Sequence, residues 1–335
     1  MSLFTILILA LALLLLCSYG IITYIRNLMF DCGILKSQKH GVKVIIVGNL
    51  RVGGTGKTPF VEMLLRNMAA EHRIAVISRG YGRRTKGFRI INDEDTAVSV
   101  GDEPLQMHNK YSKLALFAVS EDRNLAIRSI IAANPAIDTI ILDDAYQHRY
   151  VRADKTYLLT AYNKPYFRDK VLPFGMLREF AIGKRRSDVI VVTKCPPNLS
   201  NDEREYFIRK IKPQYRQVLF ASIDYKTPYR FRKPDKVLIV AQKPDVILLS
   251  AIADNHSVIS YLRNKAQSLH IIAFKDHHNF THRDIKRIKA RIIAVRRPNT
   301  IIITTEKDAA RLPHDIQIRL SMQVYVLPIE CRLLP

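Results

Sequence analysis

A short apolar run passes directly into a glycine-rich turn in the first part of this 335-residue chain. The run is Val44–Val47, the turn reads VGGTGKT at residues 52–58, and a helical pattern follows. In a strand–turn–helix of this kind, backbone N–H groups and the helix N-terminus point at phosphate oxygens. The lysine binds the β- and γ-phosphates, and the threonine hydroxyl binds Mg²⁺. The sequence therefore predicts a P-loop that binds a nucleoside triphosphate.

The turn departs from the usual P-loop pattern at one position. In G-x-x-x-x-G-K-[ST] the first glycine would stand at residue 51, where this chain has an arginine. The remaining glycines match the variant GGxGK[ST], and a glycine-rich turn with an incidental lysine is the simpler alternative. The residues expected to bind the nucleotide are Arg51, Val52, Gly53, Gly54, Thr55, Gly56, Lys57 and Thr58.

Short apolar runs alternate with helical patterns after this point. The runs are almost continuously apolar, as in strands that are buried on both faces of a parallel sheet. The alternation predicts an α/β fold with a doubly wound parallel sheet. The expected strands are Val44–Val47, Ile74–Ser78, Leu114–Val119, Thr139–Leu142, Tyr157–Thr160 and Val189–Thr193, and the expected helices are Pro59–Ala70, Arg123–Ala133 and Asp202–Ile211.

The N-terminal segment Leu3–Ile25 contains no charged residue. As a helix it would be about 35 Å long, enough to cross a hydrocarbon layer of about 30 Å. It lacks the basic start and the small-residue cleavage site of a signal peptide. We expect an N-terminal membrane helix that spans the bilayer or lies partly embedded in it. The cations from Arg26 onward would keep the rest of the chain on the cytoplasmic face.

The composition changes again near Lys226–Lys236. The segment KTPYRFRKPDK is rich in proline and charge, and it indicates a linker or a hinge of paired strands. Beyond it we expect a second, smaller α/β lobe. The predicted domains are a membrane anchor at 1–27, a P-loop kinase-type domain at 28–225 and the linker with the smaller lobe at 226–335. The strands expected in the smaller lobe are Val237–Ala241, Val246–Ser250, Ile271–Phe274, Ile301–Thr305 and Val324–Leu327.

The net charge of the chain is +23, from 53 Lys and Arg against 30 Asp and Glu. Such a surface attracts nucleic acid, anionic lipid or phosphorylated substrates, and charge alone does not choose among them. The cysteines lie far apart at Cys17, Cys32, Cys195 and Cys331, without the spacing of a zinc site or a disulfide framework. Neither is therefore expected.

Polar clusters follow several of the predicted strands. Asp143 and Asp144 come directly after Thr139–Leu142, where a P-loop enzyme holds Mg²⁺, although aspartates are also common turn residues there. Phosphoryl transfer to a hydroxyl needs a carboxylate or a histidine as base, and an aspartate–histidine pair from the two lobes could supply it. Each of the other clusters also has a simpler interpretation as a turn or a helix start. These clusters are Ser99–Pro104, Leu172–Glu179, Asp276–Phe280 and Thr304–Asp308.

Taken in order, the motifs resemble those of the tetraacyldisaccharide 4′-kinase (lipid A 4′-kinase) family. The resemblance runs from about Tyr19 to Leu312, nearly the whole chain. Ala145 and Phe180 stand where the family usually has glycine and proline, and residues 251–255 lack a glycine that is common there; these departures concern loop conformation. The motifs are GNLRVGGTGKTP, SRGYGR, VGDEP, LDDAYQHRYVRAD, LPFGMLREF, VTKCP, FKDHHNF and TTEKDAARL.

The resemblance implies a membrane-associated P-loop kinase on the cytoplasmic face of the inner membrane of a Gram-negative bacterium. It implies transfer of the ATP γ-phosphate to the 4′-hydroxyl of tetraacyldisaccharide 1-phosphate, which forms lipid IVA in lipid A biosynthesis. By motif, Asp102 would be the general base, assisted by His277, and Lys57 would hold the β/γ-phosphates. Thr58, Asp143, Asp144 and Glu179 would arrange Mg²⁺, while Arg178 and Gln147 would line the site.

The implied partners are an acylated disaccharide phosphate and membrane lipids, and we expect a monomer without a nucleic-acid partner. One alternative is a membrane-tethered P-loop ATPase that acts as an assembly switch, which would hydrolyse ATP without a lipid acceptor. Another is a nucleic-acid-binding ATPase, but the chain has no tryptophan for stacking, which ranks it last. The basic clusters that could contact lipid head groups are Arg79, Arg83, Arg84, Lys86 and Arg89, and Lys184-Arg185-Arg186.

Overall fold

The computed structural model describes residues 19–335 apart from 215, 240, 241, 277, 279, 296 and 314. Two mixed sheets, each with parallel strands at its centre, organise this part of the chain. The helices are α1 at residues 19–31, α2 Lys57–Met68, α3 Ala97–Val100, α4 Asp102–Tyr111, α5 Arg123–Ala133, α6 Asn201–Ile211, α7 His256–Lys265, α8 His282–Val295, α9 Glu306–Ala309 and α10 Ile316–Leu320. The strands are β1 Lys43–Asn49, β2 Ile74–Ser78, β3 Arg89–Ile90, β4 Ala115–Val119, β5 Thr139–Asp143, β6 Lys155–Ala161, β7 Val189–Cys195, β8 Gln217–Tyr225, β9 Tyr229–Arg230, β10 Lys233–Val237, β11 Asp245–Ser250, β12 Ser268–Ala273, β13 Thr300–Thr305, β14 Val324–Leu327 and β15 Ile329–Leu333.

The first sheet has the order β15-β8-β7-β6-β1-β5-β2-β4-β3. Only its edge strands, β3 and β15, pair in an antiparallel manner. At its centre β1 pairs in parallel with β5, which sets Val47 opposite Asp143. Because the carboxyl ends of neighbouring parallel strands meet at one edge of a sheet, the turn after β1 lies beside the aspartates that end β5. The predicted α/β fold with a parallel sheet is confirmed.

The strands at the centre of the first sheet are buried on both faces. Alternate residues of β1 pack into separate apolar clusters, with Ile45 and Val47 on one face and Val44 and Ile46 on the other. Helix α2 covers the first face with Phe60, which is fully buried. Burial on both faces explains why these strands are apolar at nearly every position rather than at every second one.

The second sheet has the order β10-β9-β14-β13-β11-β12. Here β11 pairs in parallel with β12 and β13, as expected for a smaller α/β lobe. The segment Lys226–Lys236 contains β9 and the start of β10, so that it forms paired strands. The predicted strand Val237–Ala241 is wrong where it can be compared: β10 ends at Val237, residues 238–239 are not in a strand, and 240–241 lie outside the described residues.

The chain returns to the first sheet at its C-terminal end. Strand β15 pairs antiparallel with β8, which sets Cys331 opposite Ile223. Residues 329–333 therefore join the sheet of the P-loop lobe, although they belong to the predicted segment 226–335. The predicted domain bounds as a whole remain a prediction.

Helix α1 lies against the P-loop lobe. Most of the apolar segment Leu3–Ile25 falls outside the described residues, and only its last part is seen, within α1. Across the range for which coordinates are described, no helix combines the length and the apolar character that a membrane crossing needs. The structure thus gives no support to an N-terminal membrane helix, which stays a prediction for residues 3–18.

Candidate active site

The turn between β1 and α2 has the backbone of a phosphate-binding loop. Gly53 and Gly56 have φ values of 103° and 76°, a region that side-chain-bearing residues rarely enter. Gly56 is the N-cap of α2, which begins at Lys57. The first amides of α2 consequently have no partners within the helix, and they form a positive end that suits an anion.

Side chains at the ends of β1 and β7 hold this loop in place. Asn49 donates from Nδ2 to Thr55 Oγ1 at 2.6 Å, and Thr193 donates from Oγ1 to the Thr55 carbonyl at 2.7 Å. Lys194 Nζ donates to the Gly54 carbonyl at 2.8 Å. Asn49, Thr193 and Lys194 were not predicted as supports from the sequence, although each lies in one of the motifs GNLRVGGTGKTP and VTKCP.

A second loop, residues 169–179, runs alongside the P-loop. The Val52 amide donates to the Met176 carbonyl at 2.8 Å, and the Arg178 amide donates to the Leu50 carbonyl at 2.7 Å. Arg51 pairs with Asp169, Nε to Oδ2, at 2.7 Å. Arg51 thus ties the two loops together, and the pairing brings Arg178 next to the start of α2.

Asp144, directly after β5, forms ion pairs with two cationic side chains. Arg178 binds it with both guanidinium nitrogens, at 2.9 and 3.1 Å, and Lys57 Nζ lies 3.5 Å from Asp144 Oδ1. Burial raises the pKa of Asp144, but the two cations outweigh burial and hold the pKa below its usual value. The predicted residues Lys57, Asp144 and Arg178 are therefore brought together.

Asp143 is the more buried of the two aspartates, with 3% exposure. Burial raises its pKa to about 7, and the nearby carboxylates of Glu103 and Asp144 add to the rise. Ser78 Oγ donates to Asp143 Oδ2 at 3.1 Å. Among the described residues, nothing hydrogen-bonds the other oxygen, Oδ1, which is buried.

These aspartates fit a magnesium ion. A buried carboxylate oxygen without a hydrogen-bond partner costs folding free energy unless a cation or a water molecule binds it. Within the described ranges, no group of three His, Cys, Asp or Glu side chains is arranged to hold a metal. Mg²⁺ does not require such a group, because it is usually bound through one or two carboxylates together with substrate phosphates and water. Thr58, in the first turn of α2, would be the hydroxyl ligand.

Glu179, the other predicted metal ligand, is only 2% exposed and is engaged by other groups. Its Oε1 accepts from Arg186 at 2.8 Å and from Gln147 at 3.0 Å, and its Oε2 accepts from Asn27 of α1 at 2.7 Å. In this arrangement Glu179 connects α1 to the loop that carries Arg178. Its role as a metal ligand remains a prediction.

Asp102 and Glu103 begin helix α4. Gly101, before them, has a φ of 92°, and an added Cβ would lie 3.1 Å from the Tyr81 carbonyl oxygen, so a glycine is needed for the close approach. Asp102 is 6% exposed. The charge of Glu103 contributes to the raised pKa of Asp143, the last residue of β5.

Motifs of the second lobe meet α4 at this point. Lys307 Nζ lies 3.4 Å from Glu103 Oε1 and 3.4 Å from Asp276 Oδ1. His277, the predicted partner of Asp102, lies outside the described residues, but its neighbour Asp276 is thus near the start of α4. The aspartate–histidine pair stays a prediction.

The predicted basic clusters are only partly available to a ligand. The Arg83 side chain is 2% exposed and pairs with Glu121 at 2.7 Å, and Arg89 pairs with Asp95 at 2.6 Å. Lys184 donates to the Ile211 carbonyl, and Arg186 binds Glu179. The exposed members are Arg79, Arg84, Lys86, Arg89 and Arg185, of which Arg89 is paired with Asp95.

The fold and the site define a P-loop nucleotide-binding protein of the α/β class. Comparison with known proteins identifies the family. The family model LpxK, tetraacyldisaccharide-1-P 4′-kinase, matches residues 7–335. The chain belongs to this tetraacyldisaccharide 4′-kinase family.

Individual relatives agree with the family model. The tetraacyldisaccharide 4′-kinase of Bacteroides thetaiotaomicron is 37% identical over 330 residues, covering 94% of this chain and 87% of the relative. That of Flavobacterium johnsoniae is 40% identical over 314 residues, covering 93% and 89%. A crystal structure of LpxK from Aquifex aeolicus in complex with ATP superposes with a TM-score of 0.73 at 26% identity, covering 97% of this chain and 94% of that one.

Proposed function

We propose that this chain transfers the γ-phosphate of ATP to the 4′-hydroxyl of tetraacyldisaccharide 1-phosphate, the reaction that forms lipid IVA. The proposal rests mainly on one observation: Lys57 and Arg178 both form an ion pair with Asp144 near the N-terminus of α2. Two cations at the start of a P-loop helix suit the terminal phosphates of ATP. Family membership supplies the acceptor, because the curated relatives carry the name of that kinase.

The residues of the site have distinct roles in this proposal. Backbone amides of residues 53–58 and Lys57 bind the β- and γ-phosphates, and Arg178 neutralises charge that develops on the transferred group. Asp102, at the N-terminus of α4, accepts the proton of the attacking hydroxyl, with His277 as its partner. Mg²⁺, held by Thr58, Asp143 and Asp144, would neutralise phosphate charge when bound.

An apolar surface beside the site suits an acylated acceptor. Helix α1 exposes Ile21, Ile22 and Ile25, and Phe180 and Ile182 are exposed nearby. A cleft of about 420 Å³ lies between α1 and residues 179–186, with Tyr24, Leu28 and Arg185 in its lining. Apolar side chains with a cation at their edge match the chemistry of acyl chains next to a phosphate.

Membrane attachment is part of the same proposal. The apolar residues 3–18 precede α1, so that they would hold the P-loop lobe at the membrane surface where the acceptor resides. Together with the family, this segment is our ground for proposing a location on the cytoplasmic face of the inner membrane of a Gram-negative bacterium, while the monomeric state stays a prediction. Exposed Arg185 near the cleft would favour an anionic surface.

The direct test is transfer of labelled γ-phosphate from ATP to purified tetraacyldisaccharide 1-phosphate in detergent micelles. We expect a labelled lipid with the wild-type chain and Mg²⁺, and none with Lys57→Met. Release of inorganic phosphate at the same rate with and without the lipid, and no labelled lipid, would contradict the proposal and favour the ATPase switch. The names of the relatives do not favour that alternative.

A further inference from the structure

One short segment of the second lobe makes three charged contacts with helix α4. We call residues 306–311, which comprise α9 and the two residues after it, the 306–311 segment. Arg311 Nη1 lies 3.8 Å from Asp102 Oδ2, and Lys307 Nζ lies 3.4 Å from Glu103 Oε1. At the other end of α4, Glu306 Oε1 lies 2.8 Å from Lys110 Nζ. The segment therefore contacts both ends of the helix that presents Asp102.

Two of the three contacts involve deeply buried side chains. The side chains of Arg311 and Asp102 are 2% and 7% exposed, and that of Glu306 is 4% exposed, while its partner Lys110 is 23% exposed. Breaking a charged pair in such surroundings is costly, because a buried partner would be left as an uncompensated charge. We therefore expect these two contacts to constrain position more than exposed ion pairs do.

The second lobe holds Arg311 rigidly. Its Nη2 donates to the Ala251 carbonyl at 2.9 Å and to the Asp308 carboxylate. Asp308 is fully buried and is held in turn by the Ala251 amide at 3.1 Å and by Thr305 Oγ1 at 2.7 Å. Capping by Thr305 and Asp308 explains the local turn, but it does not explain why Glu306, Lys307 and Arg311 direct their charges at α4.

The far end of α4 is also joined to the P-loop helix. Lys110 donates to Glu62 of α2 at 2.7 Å, as well as pairing with Glu306. Burial lowers the pKa of Lys110, but the two carboxylates outweigh burial and raise it. Lys110 therefore stays charged, and this partly buried ammonium connects α2, α4 and the second lobe.

We propose that the 306–311 segment is a positioning element, which holds α4 so that Asp102 stays aligned with the phosphate-binding residues of α2. The second lobe would then raise the rate of phosphate transfer by holding α4 in position. This effect is separate from that of any second-lobe side chain that contacts the acceptor. This inference rests on the proposed function for its effect on turnover. The structural part of the inference, that the 306–311 segment holds α4 in position, does not depend on the proposed function.

Turnover of variants tests the catalytic part. For Arg311→Met we expect kcat for the lipid acceptor to fall about 10- to 100-fold, because displacement of a reacting group by about 1 Å costs up to about 100-fold. The KM for ATP should change less than about threefold, since the P-loop itself is untouched. Arg311→Lys keeps the charge and should recover much of kcat, which a general loss of packing would not allow.

A second variant avoids loss of folding. Glu306→Gln keeps the shape and can still accept from the Ile329 amide, which Glu306 Oε2 binds at 3.0 Å. It weakens only the pair with Lys110, so we expect a smaller fall in kcat, of about three- to tenfold. The matched control is Arg319→Met, which removes a half-exposed pair with Asp315 elsewhere in the second lobe and should leave kcat unchanged.

Hydrogen exchange separates the positioning role from the reaction. In nucleotide-free protein, the amides of residues 105–111 should exchange about tenfold faster in Arg311→Met than in wild type or Arg319→Met, because their opening free energy falls. Exchange in α4 that matches wild type, or a kcat of Arg311→Met within about threefold of wild type, would overturn the proposal. If wild type transfers no phosphate, the proposed function fails, while exchange still decides whether the segment holds α4.

Discussion

Arg178 donates to both carboxylate oxygens of Asp144, from Nη1 to Oδ1 at 2.9 Å and from Nη2 to Oδ2 at 3.1 Å. Lys57 Nζ lies 3.5 Å from Asp144 Oδ1. The two cations thus share one anion beside the phosphate-binding loop. In the proposed function both cations would bind the phosphates, and Asp144 would be available to hold Mg²⁺.

Removal of Arg178 tests this relationship. Arg178→Met should lower kcat about 100-fold or more, since a preorganised donor to developing charge is lost. Arg178→Lys should recover only part of the loss, because a single ammonium cannot replace the two-pronged guanidinium. Steady-state kinetics with the lipid acceptor measures both, and Arg332→Met, at an exposed pair with Asp224, is the control. Activity of Arg178→Met within threefold of wild type would remove Arg178 from the site.

The role of Asp102 as the base can be measured apart from nucleotide binding. Asp102→Asn keeps the shape of the side chain but cannot take up a proton at neutral pH, so kcat should fall about 100- to 10,000-fold. ATP affinity, measured by calorimetry, should remain within about threefold of wild type. Undiminished turnover in Asp102→Asn, or in Asp102→Ala, would exclude Asp102 as the base.

Gly48 is required by close packing at the end of β1. A Cβ at this position would lie 2.6 Å from Tyr146 Cβ and 2.8 Å from the Tyr146 amide nitrogen. Gly48→Ala should therefore destabilise the fold by about 1–3 kcal/mol, the usual cost of overpacking. Gly41→Ala is the matched control, because nothing lies within 4 Å of its added Cβ. Urea unfolding monitored by circular dichroism distinguishes them, and equal midpoints would show that β1 can shift away from Tyr146.

The buried carboxyl of Glu62 should make stability depend on pH. Burial raises its pKa from 4.5 to about 7, and the charge of Glu306 adds to the rise while Lys110 opposes it. Folded protein then holds this proton more tightly than the unfolded chain. The stability that Glu62 contributes is therefore fully present below pH 4.5 and is lost as the pH rises to about 7.

Comparison of variants isolates that contribution. Between pH 5 and pH 7.5 the unfolding midpoint of wild type should fall more steeply than that of Glu62→Gln, which has no proton to lose. Glu71→Gln, at an exposed carboxylate of the same lobe, should follow wild type. Parallel curves for wild type and Glu62→Gln would mean that Glu62 keeps its charge throughout this range.

Local sequence patterns predicted much of the first lobe. Strand β2 and helix α5 have the predicted bounds, and β1, β5 and β7 differ from prediction by one or two residues at an end. The strands among these elements are buried on both faces, so their signal lies within a few neighbouring residues. Strand β8 and helix α4 were missed. In α4 the polar start, Asp102-Glu103-Pro104, suggested a turn, whereas the structure uses it as the first turn of a helix.

By itself, the sequence determined the P-loop, the α/β class, the family and the residue types of the site, because each depends on short runs or fixed spacings along the chain. Only the tertiary structure decided which charges meet. In the folded chain Asp144 pairs with Arg178, and Lys110 pairs with Glu306. Glu179 binds Arg186 and Asn27. Strand β15 pairs with β8 in the first sheet. Apart from Arg186, which is seven positions from Glu179, the paired side chains lie from 34 to 196 (306 − 110) positions apart in the chain. A buried charge needs a partner, and only the folded arrangement of the sheets brings these partners within reach.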